Sequence, residues 1–143
     1  IMYGFTEKTG IRFQLYTFNF ILKQMISYKH RFHGHNSLRY VYSHGKTVRS
    51  SIIAVRTAEN SHRSLYRCAV VVSKKISKSA VKRNRMRRRL YEIVRKNQDQ
   101  LTVSADIVIT VYSDEVATIP NSELEPTLLK LLAQAGVLSS KRQ

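Results

Sequence analysis

Apolar residues recur along the chain with two different spacings, one typical of strands and the other of helices. Strands are predicted where apolar residues alternate with polar ones or run continuously, over residues 48–57, 65–73 and 105–112. Helices are predicted where apolar residues recur every three or four positions, over residues 38–45, 79–97 and 120–136. The order α-β-β-α-β-α predicts a single-domain α+β fold, a two-layer sandwich of helices against a small sheet. A hairpin is the simplest connection between the first two strands.

The apolar pattern also indicates which side of two elements is buried. The strand predicted over residues 105–112 is almost continuously apolar, which is typical of a central strand covered on both faces. The helix predicted over residues 79–97 has one apolar stripe, formed by Met86, Leu90, Ile93 and Val94. Its other positions are mostly basic, so this helix should have a core face and a broad cationic face.

Small polar residues and glycines mark the expected helix ends. Asn36 or Ser37 could cap the first helix, and Ser77 or Ser79 could cap the second. The first and last predicted helices are each followed by a glycine, which accepts the left-handed conformation that often ends a helix, namely Gly45 and Gly136.

A dense run of basic residues begins in the loop before the second helix and continues along it. Between residues 74 and 89 there is no acidic side chain, and the cations are Lys74, Lys75, Lys78, Lys82, Arg83, Arg85, Arg87, Arg88 and Arg89. Like charges four residues apart destabilise a helix unless an anion neutralises them. Together with the net charge of +16, this run predicts a nucleic-acid partner.

Other charged partners fit the sequence less well. A membrane surface would need an amphipathic helix with aromatic anchors, and the chain has no Trp and no apolar stretch of spanning length. A DNA-reading helix normally belongs to a helix-turn-helix or a dimer, whereas here a strand directly precedes the basic helix. This arrangement favours RNA recognised by shape, so we expect neither a membrane nor a DNA partner.

The side chains needed for independent catalysis or metal binding are scattered. The nine acidic residues are spread along the chain and form no carboxylate cluster of the kind that holds catalytic metal ions. His30, His33 and His35 with the single cysteine, Cys68, lack the spacing of a zinc site. We therefore expect no catalytic residue and no metal ligand in this chain. One cysteine allows no internal disulfide, which fits a cytoplasmic location.

Residues 1–24 differ in character from the rest of the chain. The aromatic and apolar stretch over residues 11–22 resembles a secretory signal only faintly, because Gln14, Thr17 and Asn19 interrupt it. Two interpretations stay open: an extension that is disordered or translated from upstream, or a short strand or helix packed on the domain. Residues 25–143 form the predicted RNA-binding domain.

One group of motifs resembles the bacterial ribonuclease P protein subunit. Ser73-Lys74-Lys75 ends a predicted strand, and Arg83-Asn84-Arg85 follows within the basic block over residues 80–88. Weaker similarities flank these motifs at residues 38–46, 106–109 and 123–136. The resemblance covers about residues 29–138. It is specific in the Arg-Asn-Arg block and departs from the family pattern at Ala69 and Ser77, where glycine is common.

The resemblance implies a fold and a function. In this family, a compact α+β domain has a left-handed βαβ crossover, a fold shared with the second domain of a ribosomal protein. The family's activity is endonucleolytic removal of the 5′ leader from precursor tRNA. An RNA subunit with bound Mg²⁺ is the catalyst, and the protein binds this RNA and the precursor tRNA. A structural RNA-binding protein of ribosomal type is the alternative, and it would not distinguish precursor tRNA from mature tRNA.

The resemblance also implies two groups of site residues. The catalytic RNA would lie against the basic block and the loop before it, at Lys74, Lys75, Lys78, Lys82, Arg83, Asn84, Arg85, Arg87, Arg88 and Arg89. The single-stranded leader would lie in a cleft between the first helix and the sheet, at Leu38, Tyr42, Lys46 and Arg67. Tyr42 would stack on a base, and the two cations would attract phosphates. Leu38 stands where the family commonly has Phe, which weakens one stacking position.

Overall fold

The computed structural model describes residues 26–33, 35–102 and 104–139. The two interpretations of residues 1–24 lie outside this part of the chain. The helices are α1 (His35–His44), α2 (Ala80–Lys96) and α3 (Asn121–Gln134). The strands are β1 (Lys46–Arg49), β2 (Ile53–Glu59), β3 (Arg67–Val71) and β4 (Ala105–Val111). Among these described helices, none combines the length and the hydropathy needed to cross a membrane.

The four strands form one mixed sheet in the order β1-β2-β4-β3. β2 pairs antiparallel with both β1 and β4, whereas β3 pairs parallel with β4. β4 is therefore a central strand, as its apolar pattern predicts, and Ile107, Val108 and Ile109 are each 0% exposed. A strand of this kind needs a neighbour on both edges as well as cover on both faces.

The predicted hairpin between the first two strands is wrong. β4 lies between β2 and β3, so these two strands do not pair with each other. The segment predicted as one strand over residues 48–57 instead folds on itself as the β1–β2 hairpin. Ser50 closes this turn, because its hydroxyl accepts hydrogen bonds from the backbone amides of Ile52 and Ile53. The polar Ser50-Ser51 pair was the sequence signal for the turn.

The larger core lies between one face of the sheet and helices α2 and α3. α2 connects β3 to β4 and so completes the predicted βαβ unit. Its N-terminus is capped by Ser79, whose hydroxyl accepts a hydrogen bond from the Lys82 amide at 3.3 Å. The apolar stripe predicted for α2 is confirmed, since Met86, Leu90, Ile93 and Val94 are all buried. α3 adds a second buried row, formed by Leu124, Leu128, Leu131 and Leu132.

α1 covers part of the opposite face of the sheet. Val41 is fully buried there in a small cluster with Ala58 and Val108, against which Leu38 and Phe32 pack. The rest of this face carries polar side chains from β1 and β2. The sheet thus has a broad apolar face under α2 and α3 and an opposite face that α1 covers only in part.

The structure corrects two details of the predicted helix ends. α1 already begins at His35, so Asn36 and Ser37 lie inside the helix and are not its cap. Gly45 does follow α1, but its φ is not positive; a Cβ there would lie 2.4 Å from the Val41 carbonyl oxygen. The glycine is needed because the end of α1 packs closely against β2. Gly136 has a φ of 79° and ends α3 in the predicted left-handed conformation.

A buried ion pair joins the parallel strands. Arg67 on β3 donates from Nε and Nη2 to the two carboxylate oxygens of Asp106 on β4, at 2.8 and 2.7 Å. The side chains are only 3% and 1% exposed. Arg67 also donates from Nη1 to the Ser37 hydroxyl at 3.1 Å, and its guanidinium lies 4.6 Å from the centre of the Phe32 ring. This pair therefore links β3, β4, α1 and the segment before α1.

Removing the Asp106 carboxylate should strongly destabilise the domain. Asp106→Ala leaves the Arg67 charge buried without its partner, a change that costs about 3–5 kcal/mol in other proteins. Chemical denaturation monitored by circular dichroism measures this loss. Asp114→Ala is the matched control, because Asp114 forms an exposed pair with Lys82 at 3.9 Å. Its loss should not exceed about 1 kcal/mol, and equal losses in the two variants would contradict the role given to the buried pair.

Candidate nucleic-acid interface

The outer face of α2 and the loop before it carry exposed cations. Among the described residues, no hydrogen bond or ion pair is formed by the side chains of Lys74, Lys75, Lys78, Arg85 and Arg88. Arg85 and Arg88 lie on the side of α2 away from the buried stripe, as the helical period predicts. Val81 lies on the same side one turn before Arg85 and is 79% exposed. These five exposed cations, which we call the free cationic face, are available to phosphates.

The other basic residues of the predicted interface already have partners. Arg83 donates from Nη1 to the carbonyl oxygens of Ser77 and Lys78, at 2.9 and 3.0 Å, and so holds the loop against the first turn of α2. Arg87 donates to the side-chain oxygen of Asn84. Lys82 forms its exposed pair with Asp114. These side chains lie next to the free cationic face. Their hydrogen bonds and ion pairs within the protein leave them less available to phosphates.

Arg89 follows Arg85 by one helical turn, but its guanidinium is committed to the protein. Its guanidinium donates to the carbonyl oxygens of Val116, at 2.7 Å, and Ile119, and to the side-chain oxygen of Asn121 at 3.0 Å. Burial, and then the nearby charge of Arg85, lower the pKa of Arg89. The sequence predicts Arg89 as an RNA contact, but the structure uses it to hold α2 against the segment before α3. Its partners are 27 to 32 residues away, so no local pattern could have shown this.

The region between α1 and the partly covered face of the sheet, which we call the cleft, contains two of the four residues predicted to contact the leader. Leu38 packs at its base, and Tyr42 is 46% exposed beside it. Arg56 of β2 donates to the Tyr42 carbonyl oxygen at 2.6 Å and to the Thr47 hydroxyl at 2.8 Å. The Arg56 guanidinium lies 5.4 Å from the centre of the Tyr42 ring. This cation–aromatic pair is the centre of the cleft.

A second cation–aromatic pair lies farther from α1 on the same face. Arg49 of β1 donates to the Tyr112 hydroxyl at 2.9 Å, and its guanidinium lies 5.0 Å from the centre of that ring. The register places Arg49 opposite Ala54 and Thr47 opposite Arg56, so Arg49 and Arg56 project from one face. Sequence reasoning missed both arginines. Arg49 follows Val48 and Arg56 follows Val55, so in each strand the apolar and the basic side chain project to opposite faces. This pattern can be recognised only once the β1–β2 turn is placed.

Neither of the other two predicted cleft residues offers its charge on this surface. Arg67 is buried in its ion pair with Asp106 and does not present its guanidinium to solvent. Lys46 is exposed, but its register partner is Thr57 on β2. Thr57 follows the alternation of Ile53 and Val55, whose side chains enter the core under α2 and α3. Lys46 therefore projects to the face opposite the cleft.

The histidines near the N-terminal end of the domain make separate contacts. His30 has Nδ1 2.9 Å from the Tyr66 carbonyl oxygen, and its ring stacks on Tyr66 with 4.0 Å between centroids. His33 has Nε2 3.0 Å from the Tyr28 carbonyl oxygen. Cys68 is buried, and burial raises its pKa to about 12, so the thiol is protonated at neutral pH. Within the described residues, no three His, Cys, Asp or Glu side chains come together as metal ligands would.

Arg88 and Arg89 form a matched pair of adjacent arginines with opposite expected effects. Arg88→Ala should leave stability unchanged and reduce the salt dependence of binding to a bacterial ribonuclease P RNA by about one unit of slope. Arg89→Ala should leave that slope unchanged and lower the free energy of unfolding by about 1–3 kcal/mol, because buried carbonyl oxygens lose their donor. Filter binding over a range of salt concentrations and denaturant titration measure the two effects. A reduced slope for Arg89→Ala would contradict this division.

The sequence matches a known family over most of its length. A family profile described as Ribonuclease P matches residues 26–136. A ribonuclease P protein component from Pseudanabaena sp. is 40% identical over 99 residues, which cover 68% of this chain and 84% of that protein. The corresponding protein from Chloroflexus aurantiacus is 38% identical over 100 residues, which cover 70% of this chain and 73% of that protein.

Solved structures show the same fold. The ribonuclease P protein of Staphylococcus aureus superposes with a TM-score of 0.68 at 22% identity, covering 77% of this chain and 98% of that one. The protein from Thermotoga maritima superposes with a TM-score of 0.65 at 24% identity, covering 73% of this chain and 96% of that one. The motifs, the βαβ unit with its basic helix, and the sequence matches agree: this chain belongs to the ribonuclease P protein family.

Proposed function

We propose that this protein is the accessory subunit of a ribonucleoprotein endonuclease and assists removal of the 5′ leader from precursor tRNA. Membership of the family supports a role in tRNA processing and implies a partner RNA subunit. The observation that carries the proposal is the separation of two surfaces. The free cationic face lies on α2 and its preceding loop, and the aromatic cleft lies on the opposite face of the sheet. One surface suits a large structured RNA, and the other suits a single strand.

The free cationic face is the proposed contact with the catalytic RNA. Each neutralised phosphate releases counterions, so this contact should dominate affinity and weaken as the salt concentration rises. Arg85 and Arg88 can each make two parallel hydrogen bonds to a phosphate, which lysine cannot. The three loop lysines, Lys74, Lys75 and Lys78, act as mobile point charges beside them.

The cleft is the proposed site of the leader. Bases of a single strand can stack on the rings of Tyr42 and Tyr112, while Arg56 and Arg49 neutralise the phosphates between them. Both rings already have a guanidinium on one side, so each pair offers one aromatic surface together with one charge. The proposed phosphate contacts in the cleft are therefore Arg49 and Arg56, rather than Lys46 and Arg67.

The placement of the acidic residues supports catalysis by the RNA partner rather than by this chain. Asp106 is committed to Arg67, Asp114 to Lys82, Glu92 to Arg95 and Glu125 to Lys96. Among the described residues, no three His, Cys, Asp or Glu side chains come together as metal ligands would. Metal-dependent phosphodiester cleavage needs carboxylates that converge on the ions. In this proposal the Mg²⁺ ions of the assembled enzyme are held by RNA, and the protein works in the cytoplasm.

Reconstitution tests the proposed function directly. The protein should strongly enhance leader removal from a 5′-extended precursor tRNA by a bacterial ribonuclease P RNA at low Mg²⁺ concentration. The physical reason is that neutralised phosphates raise local affinity for the substrate and for metal ions. Gel analysis of leader release, with each component omitted in turn, measures this. Cleavage by the protein alone would overturn the assignment of catalysis, and RNA binding without any enhancement would favour the structural alternative.

Tyr42→Ala should weaken binding of precursor tRNA to the assembled complex by about five- to 100-fold, the range expected when a stacked base is lost. Affinity for mature tRNA and for the catalytic RNA should not change. Tyr40→Ala is the matched control, because Tyr40 is equally exposed on α1 but lies on the other side of Val41. Fluorescence titrations with both tRNA forms measure these affinities. Equal losses for precursor and mature tRNA would argue against a leader contact at Tyr42.

A further inference from the structure

A cavity of about 360 Å³ lies on the face of the sheet opposite the leader cleft. It is bounded by the end of α1, by the adjoining ends of β1 and β2, by residues 102–105, and by the segment that ends α3. Its volume falls within the range of small-ligand sites, which begins at about 300 Å³. A Cβ on Gly136, which lines the cavity, would meet no atom within 4 Å. None of the residues assigned above to the free cationic face or the cleft lines this cavity.

The sheet presents three polar side chains to the cavity. Lys46 and Thr57 are register partners, and Glu59 lies two residues beyond Thr57 on the same face. Neither Lys46 nor Glu59 forms an ion pair with any described residue. Thr57 is only 6% exposed, yet its hydroxyl forms no hydrogen bond within the described part of the chain. This oxygen is not enclosed, because no fully buried side-chain oxygen or nitrogen among the described residues lacks a partner; it opens on the cavity, where it can bond a ligand or water.

The end of α1 adds an aromatic surface at the edge of the cavity. His44 lines the cavity and stacks on Tyr40, with 4.5 Å between the ring centroids and 20° between the planes. Nδ1 of His44 lies 3.3 Å from the Tyr40 carbonyl oxygen, which can only accept a hydrogen bond. Nδ1 also lies 3.1 Å from the Ser43 hydroxyl, so both of its contacts are within α1 and Nε2 is left for a ligand. The ring face away from Tyr40 can continue the stack with a planar group.

We propose that this cavity binds one nucleotide with an amino-bearing base. The base stacks on His44, the phosphate pairs with Lys46, and the exocyclic amino group of cytosine or adenine donates to Glu59. Thr57 supplies the remaining hydrogen bond. Uracil carries an oxygen in place of that amino group and meets the Glu59 carboxylate unfavourably. The recognised chemistry is a nucleoside monophosphate, either free or within an RNA strand.

Within the proposed function, the strand is one of the catalytic RNA, because the leader lies on the other face of the sheet. This part of the inference rests on the proposed function, whereas the binding of a nucleoside monophosphate does not. The structure also explains why Lys46, expected in the leader cleft, projects here instead. Its register with Thr57 makes it a cation of this second site.

Nuclear magnetic resonance titration of the full chain with cytidine, adenosine and uridine 5′-monophosphates tests the site. Cytidine and adenosine monophosphates should shift the amide signals around Lys46, Thr57 and Ser104 saturably and bind about three- to tenfold more tightly than uridine monophosphate. Thr57→Val, which preserves the shape of the side chain, should weaken binding by a similar factor. Glu59→Gln should remove the preference among bases. Inorganic phosphate alone should bind more weakly than any of the three nucleotides.

Two control variants separate this inference from the proposed function. Lys130→Ala removes an exposed lysine of α3 that has no partner among the described residues, and it should change nothing. Tyr42→Ala should impair leader binding and leave nucleotide binding intact. If ribonuclease P RNA displaces the nucleotide and Thr57→Val weakens binding of that RNA, the natural ligand is a nucleotide of the RNA. If the RNA displaces the nucleotide but Thr57→Val leaves RNA binding unchanged, the natural ligand is a free nucleotide. Absence of saturable shifts at the cavity, or equal binding by wild type and Thr57→Val, would overturn the site.

Discussion

The buried pair of Arg67 and Asp106 is the interaction on which the arrangement of the domain depends. It joins β3 to β4, the only parallel neighbours among the described strands, and it reaches α1 through Ser37. Parallel strands cannot be joined by a tight turn, so their register must be set by side chains and by the crossover helix. Because a bidentate arginine–carboxylate pair tolerates little displacement, this pair holds the register of β3 against β4.

The basic residues of the chain divide into those that hold the protein together and those that face solvent. Arg67, Arg83 and Arg89 donate to carbonyl or carboxylate oxygens and stabilise particular junctions of the fold. Arg85 and Arg88 have no such partner among the described residues, and their charges repel unless phosphate is present. One run of sequence thus serves two purposes, since a helical period alternates its side chains between the protein and the solvent.

The two faces of the sheet offer different chemistry to RNA. The face that α1 covers in part has two arginine–tyrosine pairs, one of them completed by Tyr42 of α1, which suits a flexible strand without strict base recognition. The opposite face has a cavity with a carboxylate, a hydroxyl and an ammonium group, which suits recognition of one base. β1 lies at the edge between them and contributes Arg49 to the first surface and Lys46 to the second.

Local pattern was sufficient to predict the order of most elements, the buried stripe of α2, the central position of β4 and the family. These features depend on residue spacing and on one contiguous motif, both of which are properties of the sequence alone. Pattern could not predict the pairing of β4 between β2 and β3, because pairing depends on contacts between distant segments. The roles of Arg67, Arg89 and Lys46 also depend on contacts between distant segments. The sequence does not distinguish a charged side chain that pairs with an oxygen of the protein from one that faces solvent. Only the tertiary structure determines which of the two lies next to it.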